Sequence, residues 1–118
     1  MFWIVENERH MINKKLMASI LNSLKDPFVF ADTSHIIRYM NKAAIRHYEK
    51  GAKLIGTSLL DCHNEPSRKM IIEILAAMYD GEEERLITDN EKHRIYMRAV
   101  RDEKGKVSGY YERYESPR

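Results

Sequence analysis

Residues 66–81, PSRKMIIEILAAMYDG, carry Met70, Ile71, Ile74, Leu75 and Met78 on one stripe at helical spacing, with Pro66 in the first turn and Asp80-Gly81 as a stop. After that stop the period changes. The runs EERLITD, HRIYMRAVRD and KVSGYYERYE are rich in β-branched and aromatic residues, and the turn formers Asp89-Asn90-Glu91-Lys92 and Asp102-Glu103-Lys104-Gly105 join them. One amphipathic helix followed by an antiparallel meander cannot close as a helical bundle. Its apolar stripe has to lie on a sheet.

The residues upstream add to that sheet. PFVFAD and HIIRYMN are two strand-like runs separated by Asp32-Thr33-Ser34, which predicts a hairpin. NKAAIRHYEKG predicts a short helix capped by Asn41 and ended at Gly51. Before the hairpin, Met17, Ile20, Leu21 and Leu24 recur at helical spacing, with Met11, Ile12 and Leu16 extending the pattern, so a helix is predicted over 7–24. Lys25-Asp26-Pro27 should stop it, because proline disfavours helical geometry in the residue before it. The fold class is therefore α+β, with five antiparallel strands in one sheet and helices packed on it.

With 118 residues and 43% hydrophobic content, the chain suits one domain with one modest core. Charged residues make up 32%, the net charge is +2, and the signs are interleaved, so no stripe for nucleic acid is present. A single cysteine rules out an intrachain disulfide and suits a reducing compartment, which makes the cytoplasm the expected location. The opening MFWIV is far shorter than the roughly 20 residues of a membrane-spanning helix. Glu6, Glu8 and Arg9 follow it at once, and it lacks the features of a signal peptide. We read it as packing on the domain or on a second subunit.

The order of elements, with DPFVFAD leading into IIRYMNKAA, then LIGTSLLD, the helix ending in YDG, and MRAVRDEKGKVSGY, resembles the PAS sensor domain from about Ile20 to Glu115. CHNEPSRKMIIEIL is similar to a Cys-His-x-Pro-x-Ser stretch of some bacterial PAS domains, including ones fused to hemerythrin-like modules. The resemblance implies a five-stranded sheet whose inner face and covering helices enclose a pocket. It also implies an N-terminal helix that lies on the outer face or pairs with a second subunit. The expected division is residues 1–24 as an N-terminal helical segment serving as interface or cap, 25–115 as the PAS-like domain and 116–118 as a tail.

Cys62 and His63 are the candidate cofactor-binding pair. Adjacent residues have difficulty ligating one metal, and no third or fourth ligand stands at zinc spacing; His10, His35, His47 and His93 are scattered. No metal is expected. Heme has a better motive, because some PAS domains bind it through a histidine near the long helix. The structural alternative is that Asp61 or Asn64 caps that helix, Cys62 is a small buried apolar residue and His63 bonds a loop carbonyl. Flavin is less favoured: in light-sensing PAS relatives the reactive cysteine follows a Leu-Gly pair, and with Ile55-Gly56 matched to that pair its position falls on Leu59.

Tyr39, Met70, Ile74, Met78, Tyr96 and Met97 are the candidate ligand-binding residues between helix and sheet; the alternative is that they simply fill the core. On the last strand, alternation puts Tyr110 and Tyr114 on one face and Tyr111 on the other. Arg98, Arg101 and Arg113 beside these aromatics would fit single-stranded nucleic acid, but Glu112 and Glu115 interrupt the patch and favour a protein interface. Ser58 and Ser67 stand near Asp61 and His63 without a nucleophile-elbow motif, and no glycine run forms a phosphate loop, so no catalytic residues are expected.

The expected function is a cytoplasmic bacterial PAS-type sensory domain that binds a small ligand or a protein partner and relays a conformational change, with no catalysis of its own. The expected partners are a second copy, through the N-terminal helix, and a signalling protein in trans, with neither nucleic acid nor membrane. The alternatives are a ligand-free dimerisation module and a heme sensor using His63.

Overall fold

The computed structural model describes residues 13–117. MFWIV and the predicted helical positions 7–12, with His10, Met11 and Ile12, lie outside the described residues. The elements in order are α1 (Lys14–Asn22), β1 (Phe28–Asp32), β2 (Ile37–Met40), α2 (Lys42–His47), two 3-10 turns (Gly51–Leu54 and Leu59–Cys62), α3 (Glu65–Tyr79), β3 (Glu84–Asp89), β4 (Arg94–Arg101) and β5 (Val107–Glu115).

The five strands form one antiparallel sheet in the order β2-β1-β5-β4-β3, so the last strand of the chain is the central one. The hairpin and the meander form as predicted, but only the long-range β1–β5 pairing, which sets Val29 opposite Glu112 and Ala31 opposite Tyr110, joins them. Side chains alternate across the sheet. The inner face carries Met40, Val29, Ala31, Tyr110 and Met97, each at most 3% exposed, and α3 closes over it with Ile71, Ile74, Leu75 and Met78. The outer face carries the aromatic row Tyr39, Phe28 and Tyr111, with the Phe28 and Tyr111 rings stacked at 4.6 Å.

Capping defines the helices. Asn64 Oδ1 accepts from Ser67 N at 3.0 Å and starts α3, whereas Asp61 belongs to the preceding 3-10 turn. The guanidinium of Arg101 donates to the Met78 and Glu82 carbonyls at 2.7 and 3.3 Å, tying the end of α3 to β4. Helix α1 begins at Asn13, whose side chain accepts from Leu16 N at 2.9 Å. It ends earlier than Lys25-Asp26-Pro27 predicts: the hydroxyl of Ser23 donates back to Ile20 O at 2.6 Å and closes the last turn there. No residue of α1 is buried, and Leu16, Met17, Ile20 and Leu24 remain about half exposed.

Candidate functional site

The inner face of β5 presents Tyr110, Glu112 and Tyr114 in succession. Glu112 is 5% exposed and lies between the buried apolar side chains Val29 of β1 and Met97 of β4. Alternation along the strand forces it there: with Tyr110 inward, the second residue on must follow.

Two segments face it. The 3-10 turn Leu59–Cys62, started by the Ser58 hydroxyl accepting from Leu60 N at 3.2 Å, delivers Cys62 and His63. His63 Nδ1 lies 2.8 Å from Leu59 O and, because a carbonyl only accepts, donates to it. Arg68 Nε donates to His63 O at 2.9 Å and holds the backbone. From the end of α2, Tyr48 reaches across to hydrogen-bond the hydroxyl of Tyr114. The rings of His47 and His93 pack on Tyr114 at 5.3 and 5.1 Å.

Burial and charge are coupled in this group. Loss of hydration raises the Glu112 carboxyl above its ordinary range, and the nearby His63 opposes that shift. Tyr114 is pushed up to about 12, first by burial and then by the Glu112 charge, with the Tyr48 hydroxyl pulling the other way. Tyr48 rises for the same two leading reasons. At the far end of β5 the Tyr110 hydroxyl pairs with His35 Nδ1 at 2.8 Å, and burial lowers the His35 imidazole while Asp32 opposes it.

Two cavities share Tyr48, Cys62, His63 and Glu112 in their walls. One, of about 20 Å³, extends among Val29, Ile37, Met40 and Leu59 and has room for one water. The other, of about 210 Å³, runs beneath the start of α3 past Ser67, Met70 and Ile71 toward Thr88 and Ile95.

The six predicted ligand-binding residues do not form one wall. Ile74, Met78 and Met97 have no exposed surface and are core, while Met70 borders the larger cavity. Tyr39 and Tyr96 stand on the outer face, because Tyr96 is adjacent to the inward Met97 and Tyr39 to the inward Met40. Tyr39 Oη donates to Ala18 O and Asn22 Oδ1 of α1 at 3.4 and 3.3 Å. Tyr96 lies under the Arg113 guanidinium, 4.0 Å from its ring centre, and donates to Glu115 at 3.1 Å. The expected small buried Cys62 is in fact an exposed free cysteine at the rim, since a 3-10 turn leaves one side to solvent.

Glu112, expected to interrupt an exposed patch, is interior instead. The alternation that placed Tyr110 and Tyr114 on one face was the signal that could have found it. The arginines of that patch are engaged by acids: Arg113 with Glu84 and Glu115 at 3.1 and 3.0 Å, Arg98 with Glu84 at 3.8 Å, and Arg101 with Glu83 at 2.7 Å.

Among the described residues no three His, Cys, Asp or Glu side chains gather as a metal site. Neither cavity reaches the roughly 300 Å³ at which sites for drug-sized ligands begin. The residues around His63 therefore do not fit a porphyrin or an isoalloxazine ring. A wider groove of about 650 Å³ beside Tyr48, Lys53 and Cys62 opens outward and does not include His63. Among the described residues no helix is long and apolar enough to cross a membrane.

A family model described as PAS domain matches residues 17–115. No curated protein matches the chain by sequence. Among solved structures, the C-terminal domain of a Streptococcus mutans protein is similar with a TM-score of 0.74 at 18% identity, over 89% of this chain and 85% of that one. A PAS domain from Colwellia psychrerythraea gives 0.66 at 14% identity, over 86% and 94%. A sensory box sensor histidine kinase structure from Vibrio cholerae gives 0.63 at 10% identity, over 98% and 97%. At these identities the likeness is one of fold.

Proposed function

The chain belongs to the PAS domain family, typically sensory and signalling modules, and from that premise we propose that it is a sensor whose interior cavity takes a small ligand. The reading extends to a bacterial, cytoplasmic protein with no catalysis of its own, grouped by CHNEPS with PAS domains that carry a Cys-His-x-Pro-x-Ser-like stretch. The observation that carries the ligand is the Glu112 carboxyl, buried between apolar side chains yet bordering both cavities.

A ligand shifts a two-state equilibrium only through a difference in affinity for the two states. Here it would touch the 3-10 turn at Cys62-His63, the start of α3 and the central strand together. Asn41 connects the edge of the same sheet to α1 through its bond to Leu21 O at 3.0 Å. That link gives a route by which repacking of the inner face reaches the N-terminal helix and a signalling partner in trans.

Native mass spectrometry of the protein exposed to a bacterial metabolite extract tests this reading. A small non-covalent adduct that Ser67→Trp abolishes is expected, because an indole there fills the mouth of the larger cavity. The apo mass alone, with Ile71 and Met97 methyl resonances unmoved by the extract, would refute it.

A second reading is favoured by the half-exposed Leu16, Met17, Ile20 and Leu24: α1 pairs with α1 of a second copy. Sedimentation of Ile20→Glu should then show monomers where the unaltered chain shows dimers.

A further inference from the structure

The interior acid faces one basic side chain, His63, but has no hydrogen-bond donor among the described residues. Among the described residues nothing donates a hydrogen bond to the Glu112 carboxyl, although the residue is only 5% exposed. Buried carboxyls without donors are costly, and folds ordinarily supply a donor or replace the acid. The groups that face it are His63 before α3, Tyr48 after α2, Cys62, and its neighbours Tyr110 and Tyr114 on β5. The two tyrosine hydroxyls nearest the cavity are bonded to each other, which uses one of their two protons, and neither bonds to the acid. The His63 Nδ1 proton is committed to Leu59 O. No lysine or arginine lines either cavity.

From this arrangement we propose that the cavity binds a compact organic amine in its ammonium form, with the charged nitrogen at Glu112 and an apolar body in the larger space beneath α3. The inference rests on the ligand-sensor reading and names its ligand class. The charge argument selects the class: Glu112 is the one carboxyl in the walls, an ammonium beside it stabilises the ionised form that burial disfavours, and a carboxylate or phosphate would add a second negative charge. An ammonium brings the opposite charge and three donors to an acid that has none. The aromatic rings of Tyr48 and Tyr114 offer π-faces that favour a cation further. Met70, Ile71, Ile87 and Ile95 form the apolar wall, which suits a hydrocarbon body and disfavours sugars or nucleotides. His63 is the one basic side chain facing the acid.

The test uses three probes of one shape: benzylamine, benzyl alcohol and benzoate, titrated against the full chain at pH 7.5. Ile71 and Met97 methyl resonances report the site, and calorimetry reports affinity. Benzylamine is expected to bind at least about tenfold more tightly than either of the others, the margin of one good charge-assisted contact. Glu112→Gln keeps the shape and removes the charge, and should erase that preference while leaving the alcohol unchanged. Ser67→Trp should block all three probes while Glu112 stays intact.

Equal binding of amine and alcohol, stronger binding of benzoate, or an amine preference that survives Glu112→Gln would each overturn the ammonium assignment. The ligand-sensor reading would survive those results, since it stands or falls on the adduct experiment with metabolite extract. Absence of binding by all three probes to the unaltered chain would also overturn the assignment.

Discussion

Asn41 Nδ2 donates to the carbonyl of Leu21 at 3.0 Å, so the residue that caps α2 also fastens the end of α1. The same amide donates to Asp26 O at 3.1 Å, and its Oδ1 accepts from Phe28 N and Ala44 N at 3.0 and 2.9 Å. Asn41 is fully buried and uses both donors and both acceptor sites on four different segments.

Asn41→Asp preserves the cap and turns two donated bonds into a carboxylate facing two carbonyls. We expect it to cost about 3 kcal/mol or more, the scale for leaving a buried charge unpaired. Asn41→Ala should cost about as much by stranding two amides and two carbonyls. Urea denaturation of both variants checks this, and a cost confined to the roughly 1 kcal/mol of an ordinary helix cap would show that the link to α1 contributes nothing.

The raised Glu112 carboxyl sets the sign of a pH effect. Its folded-state value lies above the ordinary 4.5, so the contribution it makes to stability is present in full below that pH and is lost as pH rises through the folded-state value. Glu112→Gln should therefore match the unaltered chain near pH 4.5 and exceed it at pH 8 by about 1–2 kcal/mol, or about 4–8 °C in Tm. Calorimetric melts at intervals of one pH unit measure the gap; two parallel curves would mean that the acid is hydrated.

Gly109 lies on β5 with φ 155°, and a Cβ there would come within 2.2 Å of Ala31 O and 2.8 Å of the Phe30 ring. The carbonyl belongs to the β1 backbone and cannot step aside without breaking the one pairing that joins the hairpin to the meander. Gly109→Ala should lose about 3 kcal/mol or more, read as a lowered urea midpoint, with exchange protection lost first in β1 and β5.

Tyr110→Phe removes the hydroxyl that meets His35 Nδ1 and keeps the ring. The ring carries most of the burial, so the loss should be about 1–2 kcal/mol. A fall in the urea midpoint with an unchanged slope would agree, whereas no change would mean that His35 finds another partner.

Much of the architecture is legible in the sequence. The α3 stripe marks the residues that cover the sheet, Asn41 announces its cap, Asn64 stands as one of two candidates for the α3 cap, and the turn sequences place the hairpin and the meander, because each of these signals is decided by residues within about four positions. The candidate site was legible only in pieces. His63 bonds a loop carbonyl as its structural reading held, while Tyr39 and Tyr96 fell on the opposite face, where strand alternation alone could have put them. Glu112 is not legible as interior because a glutamate among aromatics and arginines has the composition of a surface strand.

The sequence by itself settled which stretches become helix or strand and the face each side chain shares with its second neighbour, since these follow from local backbone geometry, but not where the first two helices stop. The tertiary structure alone decided that β5 is central and flanked by β1, because that pairing joins residues some eighty positions apart and no local preference encodes it. Burial of Glu112 against His63 follows from the central position of that strand, where hydration is lost on one side to α3 and on both edges to neighbouring strands.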